Sequence, residues 1–174
     1  ALLSTSASAV PFAGPDAFGH LGSNIAFNLR DVSGTGADVE LDDQDDSTAV
    51  DSIGFNFSFY GNSFSQVEIS SNGFISFTQT GESACCSGET ITTPGGAIDN
   101  FIAGYWEDLD PGEGGIIRTQ TLGAAGSRQY VVGYYGVRDN DDPDNSINTF
   151  EIILHEGTND IELQLAQIQF EDVD

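Results

Sequence analysis

Residues 53–77, IGFNFSFYGNSFSQVEISSNGFISF, constrain the fold more than any other stretch of the chain. Apolar side chains recur at every second position. Ile53, Phe55, Phe57 and Phe59 share one parity, and the pattern resumes at Val67 and Ile69 and again at Ile75 and Phe77. A period of two places such residues on one face of an extended ribbon, whereas a helix would scatter them around its circumference. Asn72-Gly73 lies between two of these runs and supplies residues that tolerate φ > 0, as a type I′ hairpin turn demands. The stretch therefore reads as strands joined by a tight turn, with one face buried and the other wet.

The same logic extends along the chain. NIAFNLRDV (24–32) alternates as a short strand, and a brief strand is expected around Val39 to Leu41. FIAGYW (101–106) reads as a buried strand that exits through Glu107, Asp108 and Asp110. Residues 116–123 and 128–137 form a hairpin across GAAG, and 148–157 and 160–170 form another across Gly157-Thr158-Asn159. Residues 79–100 make a long Gly/Ser/Thr loop. No convincing helix and no repeat of fixed period is present. Eight to ten short strands with frequent turn signals predict an all-β fold: a single-domain antiparallel β-sandwich, jelly-roll-like, over residues 14–174. Twelve Phe, five Tyr and one Trp among 174 residues can supply its core.

Charge narrows the partners. Twenty-eight acids face four bases, Arg30, Arg118, Arg128 and Arg138, for a formal net charge of −24. A chain without a basic patch cannot neutralise phosphates, so nucleic acid and anionic membrane surfaces are excluded as partners. No stretch approaches the ~20 apolar residues of a membrane span. Self-repulsion of this size favours cations or a salty exterior. Calcium takes six to eight oxygens, commonly from Asp, Asn and backbone carbonyls on loops. Three loops fit: Asp42 to Asp46, Glu107 to Asp110, and Asp139 to Asp144. The candidate Ca²⁺ ligands are Asp139, Asp141, Asp142 and Asp144, with Asp108 and Asp110. The alternative is a set of solvated acidic loops.

Other chemistry is thin. His20 and His155 are the only histidines, and the chain has no G-x-S-x-G elbow and no H-E-x-x-H. A glycosidase-type carboxylate pair is defined by spatial separation, so it stays open in the sequence. Cys85 and Cys86 are adjacent. They could form a strained vicinal disulfide, pair between chains, or remain thiols in a loop. Trp106 could stack on a sugar, but a core aromatic at the sandwich edge is the favoured reading.

The N-terminal segment is uncharged and partly apolar. Ala7-Ser8-Ala9 has the small-residue form of an export cleavage site, and the first residue is Ala1 rather than Met, so processing is expected. Residues 1–13 are read as an extended segment that lies along its own sheet or is donated to a neighbour through Leu2, Leu3, Val10 and Phe12.

Four motifs in order resemble a known module: GPDAFGH (14–20), FNFSFYGNSFSQVEISSNGFISF (55–77), IAGYWEDLDP (102–111) and TFEIILHEGTNDIELQL (149–165). The resemblance is to a secreted bacterial β-sandwich domain, distantly like the nidogen extracellular domain. That module is common in surface proteins with a short Pro-Glu-Pro C-terminal sorting signal. The sorting signal is absent, and the N-terminal segment and the Cys pair are not part of the pattern. The resemblance implies export, a cell-surface or matrix location and no established catalysis. The expectation is a non-enzymatic extracellular structural protein that self-associates, plausibly into filaments, through its N-terminal strand, or engages other surface proteins. The alternatives are a calcium-assisted adhesin or glycan binder, and a hydrolase.

Overall fold

The computed structural model describes residues 15–85, 98–142, 144 and 146–169. Two antiparallel sheets form the sandwich. One holds β2 (Thr48–Phe59), β3 (Asn62–Ser70), β4 (Phe74–Ser76) and β5 (Phe101–Ala103) in that order. The other runs β1 (Ala37–Asp38), β7 (Ile116–Leu122), β8 (Gln129–Asp139), β9 (Asn148–His155) and β10 (Ile161–Gln167). Strand β6 (Leu109–Asp110) adds to the far end of β8, pairing Leu109 with Asp139 and Asp110 with Arg138, and a 3-10 turn over Pro111–Glu113 follows. The jelly-roll likeness is limited: β1 pairs with β7 in the sheet of the later strands, β6 pairs with β8, and the remaining strands follow chain order within each sheet.

Alternation does what the residues require. Along β2, Ile53, Phe55, Phe57 and Phe59 are buried while Gly54, Asn56 and Ser58 are exposed. Their side chains meet Val67, Ile69, Ile75 and Phe77 from the same sheet and Tyr130, Val132, Tyr134, Phe150 and Ile152 from the other. Tyr134 and Phe150 stack with ring centroids 4.4 Å apart. The Tyr134 hydroxyl donates across the core to the Ser70 carbonyl at 2.7 Å, so the one polar atom of this buried ring is satisfied. Each such side chain taken from water contributes about 1.5–3 kcal/mol.

Three local expectations are corrected. The Asn72-Gly73 hairpin forms, with Ile69 opposite Ile75, but Gly73 alone has positive φ, at 82°. The turn is therefore not type I′. Gly73 is required because a Cβ there would lie 1.8 Å from the Tyr105 carbonyl oxygen. Next, the brief strand expected at Val39 to Leu41 sits instead at Ala37–Asp38. Finally, residues 24–32 do not form a strand. Residues 28–32 cross the outer face of the second sheet as a strap. The amides of Arg30 and Asp31 donate to the Glu151 carboxylate at 2.8 and 2.9 Å, Val32 N donates to the Tyr135 hydroxyl, and Asn28 N donates to Gln164. The donors a ladder would use go to side chains, and Val32 packs on Val131 and Ile153 beneath the strap.

Candidate functional site

At one end of the sandwich the turn between β3 and β4 meets two acidic loops. Asn72, fully buried, joins them: its Nδ2 donates to Asp46 Oδ1 at 2.7 Å, and its Oδ1 accepts Leu109 N at 3.0 Å. Since Leu109 pairs with Asp139 at the end of β8, a third acidic loop joins the same end. Asn140 N also donates to the Asp108 carbonyl at 2.8 Å. The three loops that the sequence offered as separate cation candidates thus converge through Asp46, Asp108 and Asp139.

Two of these carboxylates are deeply buried, Asp108 at 6% exposure and Asp139 at 2%. Asp108 Oδ1 and Asp139 Oδ2 have no hydrogen-bond partner. A carboxylate oxygen of Asp46, one of Asp108 and the Sγ of Cys85 lie within 4.8 Å of one another. Burial pushes the Asp108 and Asp139 carboxyls above the ordinary range. Asp46, Asp141 and Asp139 push Asp108 the same way, as Glu107 and Asp141 do for Asp139. Asp45 is raised for the same reasons, burial first and then Asp110 and Asp46.

No base compensates. Among the described residues Arg30 pairs with Glu162, Arg118 with Asp42 and Asp38, and Arg128 with Glu156. Arg138 donates to the Ser146 carbonyl and makes no ion pair among the described residues. His20 lies against Asp16 and His155 against Glu162. Among the described residues these hydrogen bonds and ion pairs of the Arg and His side chains go to groups other than the Asp108 and Asp139 carboxylates.

The other expected residues divide. Asp110 caps the 3-10 turn, accepting Gly112 N at 2.7 Å. Asp141 N donates to Asp139 Oδ1 at 3.0 Å, while Asp141, Asp142 and Asp144 are exposed. Trp106 is half-buried: its ring packs on Phe74 and Phe101 at 5.3 and 5.2 Å, and its Nε1 donates to the Ala84 carbonyl. Cys85 is disulfide-bonded, and Cys86 lies outside the described residues. Leu2, Leu3, Val10 and Phe12 also lie outside them. Asn72 carries no sequence signal for this role, and Asp46, offered only within the Asp42 to Asp46 loop, could not be joined to the other two loops, because nothing local couples a loop aspartate to a hairpin turn.

A second feature lies along the last strand, β10. Leu163 is opposite Ile152, and Leu165 opposite Phe150, so both leucines face the core side of their sheet. Yet they are 40% and 52% exposed. The last strand of the facing sheet, β5, has three residues and is followed by Gly104 and Tyr105 over Phe150 and Ile152 of β9. Among the described residues no strand of that sheet reaches β10, and β10 pairs only with β9.

A pocket of about 330 Å³ is lined by Asp51, Thr119, Thr121 and Tyr130, with Asp51 its one carboxylate. No helix among the described residues is long and apolar enough to cross a membrane. A family model described as NIDO related matches residues 23–172. Neither the curated proteins nor the solved structures yield a match.

Proposed function

From the premise that the chain belongs to the NIDO-related family, we propose that it is a secreted, non-catalytic structural module that associates with further copies of itself by strand addition. The observation that carries this reading is the uncovered inner face of β10, where Leu163 and Leu165 point to the core side and meet solvent. A sandwich lacking a strand at one edge leaves such a row, and an extended segment can supply both the missing backbone pairing and the missing apolar cover.

The occupant is residues 1–12 of a second copy. This segment, ALLSTSASAVPF, carries no charged side chain, so it can approach a body of net charge −24 without repulsion. Twelve extended residues reach ~40 Å, more than the ~23 Å of a seven-residue strand. Donated head to tail, the contact does not close and propagates into a filament.

Electron microscopy and light scattering of three proteins test this reading: the full chain, the chain lacking residues 1–12, and Leu165→Glu. The full chain should form filaments or a ladder of oligomers, and both variants should remain folded monomers. Assembly that persists without residues 1–12, or a full chain that stays monomeric at high concentration, refutes it.

A further inference from the structure

We infer that the end of the sandwich where Asp46, Asp108 and Asp139 meet is a calcium-binding site. This inference is independent of strand addition, since the site lies at the β3–β4 turn and not at β10.

Three observations converge on it. The first is the pair of orphan oxygens, Asp108 Oδ1 and Asp139 Oδ2, on side chains more than nine-tenths buried. A buried carboxylate oxygen without a donor is costly and is relieved either by protonation or by a bound cation. The second is the lack of any counter-cation among the described residues, every Arg and His being engaged elsewhere. The third is spacing: the Asp46 and Asp108 oxygens lie within 4.8 Å of each other. Two oxygens at the ~2.3–2.6 Å calcium bond length on either side of one ion are separated by at most ~5 Å.

The donor set selects the metal class. The neighbouring Sγ of Cys85 is in a disulfide and is not a thiolate, so it offers no soft ligand. What remains is carboxylate oxygen, the donor of hard cations. Calcium suits the site better than magnesium because the two carboxylates within reach of one ion, Asp46 and Asp108, come from separate loops, and calcium tolerates irregular geometry and variable coordination number. Asn72 is the positioning residue: it bonds Asp46 and the backbone of β6 at once, so it holds two of the three loops at a fixed separation.

The experiment uses the full chain in EDTA and then in about 5 mM CaCl₂, roughly five- to fiftyfold above the Kd of extracellular calcium modules, with a background of sodium chloride and a magnesium comparison. Thermal unfolding is followed by circular dichroism, and Tb³⁺ luminescence sensitised through Trp106 reports occupancy directly. At that excess calcium should raise Tm by about 2–9 °C for a domain of this size. Asp108→Asn should lose that shift and the Tb³⁺ signal, yet melt in EDTA at or above the wild-type temperature, because one carboxylate has left a repulsive cluster. Asp160→Asn, at the β9–β10 turn, should keep both. A wild-type Tm unmoved by calcium overturns the site. So does a shift equal in magnesium and unchanged by Asp108→Asn, which would mean general screening of a polyanion.

Discussion

Replacing Asn72 by alanine tests whether one buried amide holds the acidic end together. Three side-chain hydrogen bonds are lost, the one to the Ser83 carbonyl long at 3.4 Å, and the surroundings of the other two decide their weights. Asp46 is exposed, so water replaces the donor it loses, and that bond costs about 0.5–1 kcal/mol. Leu109 is 0% exposed, so its amide is left without an acceptor, at about 1–3 kcal/mol. With the small void left by the amide, the total is roughly 2–4 kcal/mol, or a Tm lowered by about 5–15 °C at this chain length. The companion Asn72→Asp keeps an acceptor for Leu109 but turns the donor toward Asp46 into a second carboxylate. It should be less stable than Asn72→Ala at pH 7 in EDTA and recover with calcium or mild acid. Thermal and urea unfolding in EDTA measure both. A loss below about 2 °C for Asn72→Ala, or an Asn72→Asp protein as stable as the wild type at neutral pH without calcium, would refute the reasoning.

The remaining predictions concern pH and the turn glycine. Asp108, Asp139 and Asp45 have folded values raised above the ordinary ~3.9, so the folded state binds protons more tightly than the unfolded chain, and stability falls as pH rises through that window. Glu156 is held at about 2, by the Arg128 hydrogen bond first, so its contribution is present above the ordinary ~4.3 and is lost as pH falls toward 2. In EDTA, Tm should therefore rise as pH is lowered through the raised range of these carboxyls toward the ordinary ~3.9 and fall again as Glu156 is protonated; a Tm that only falls on acidification contradicts the buried cluster. Gly73→Ala adds a Cβ 1.8 Å from the Tyr105 carbonyl at a residue with φ of 82°, and should lower Tm by more than about 10 °C or prevent folding. Gly61→Ala has a similar φ of 79° but nothing within 4 Å of its new Cβ, so it should cost only about 1–2 kcal/mol, and equal melting temperatures for the two variants would refute the steric account.

Residues carrying a strictly local signal were legible. The buried parity of β2 and the pairings β3–β4, β7–β8 and β9–β10 follow from alternation and turn residues alone. The strap at 28–32 was not, although it alternates just as well. Whether an alternating segment becomes a strand depends on where its amides find acceptors, and the Glu151 carboxylate that takes those of Arg30 and Asp31 lies far away in sequence. Trp106 shows the intermediate case. Its type and its place after an apolar run pointed to packing, while its bond to the Ala84 carbonyl comes from the loop beyond β4.

By itself the sequence determined that the chain forms ribbons, which faces they bury, and that its loops are acidic, because period-two alternation, turn chemistry and charge are properties of neighbouring residues. Only the tertiary structure decided that Asp46, Asp108 and Asp139 share one end, and that Leu163 and Leu165 face inward without cover. Both depend on pairing between distant segments: β6 docking on the far end of β8, Asn72 bonding two loops at once, and a three-residue β5 that stops short of β10. Those contacts are selected by the free energy of the assembled sandwich, and no short window of the chain encodes them.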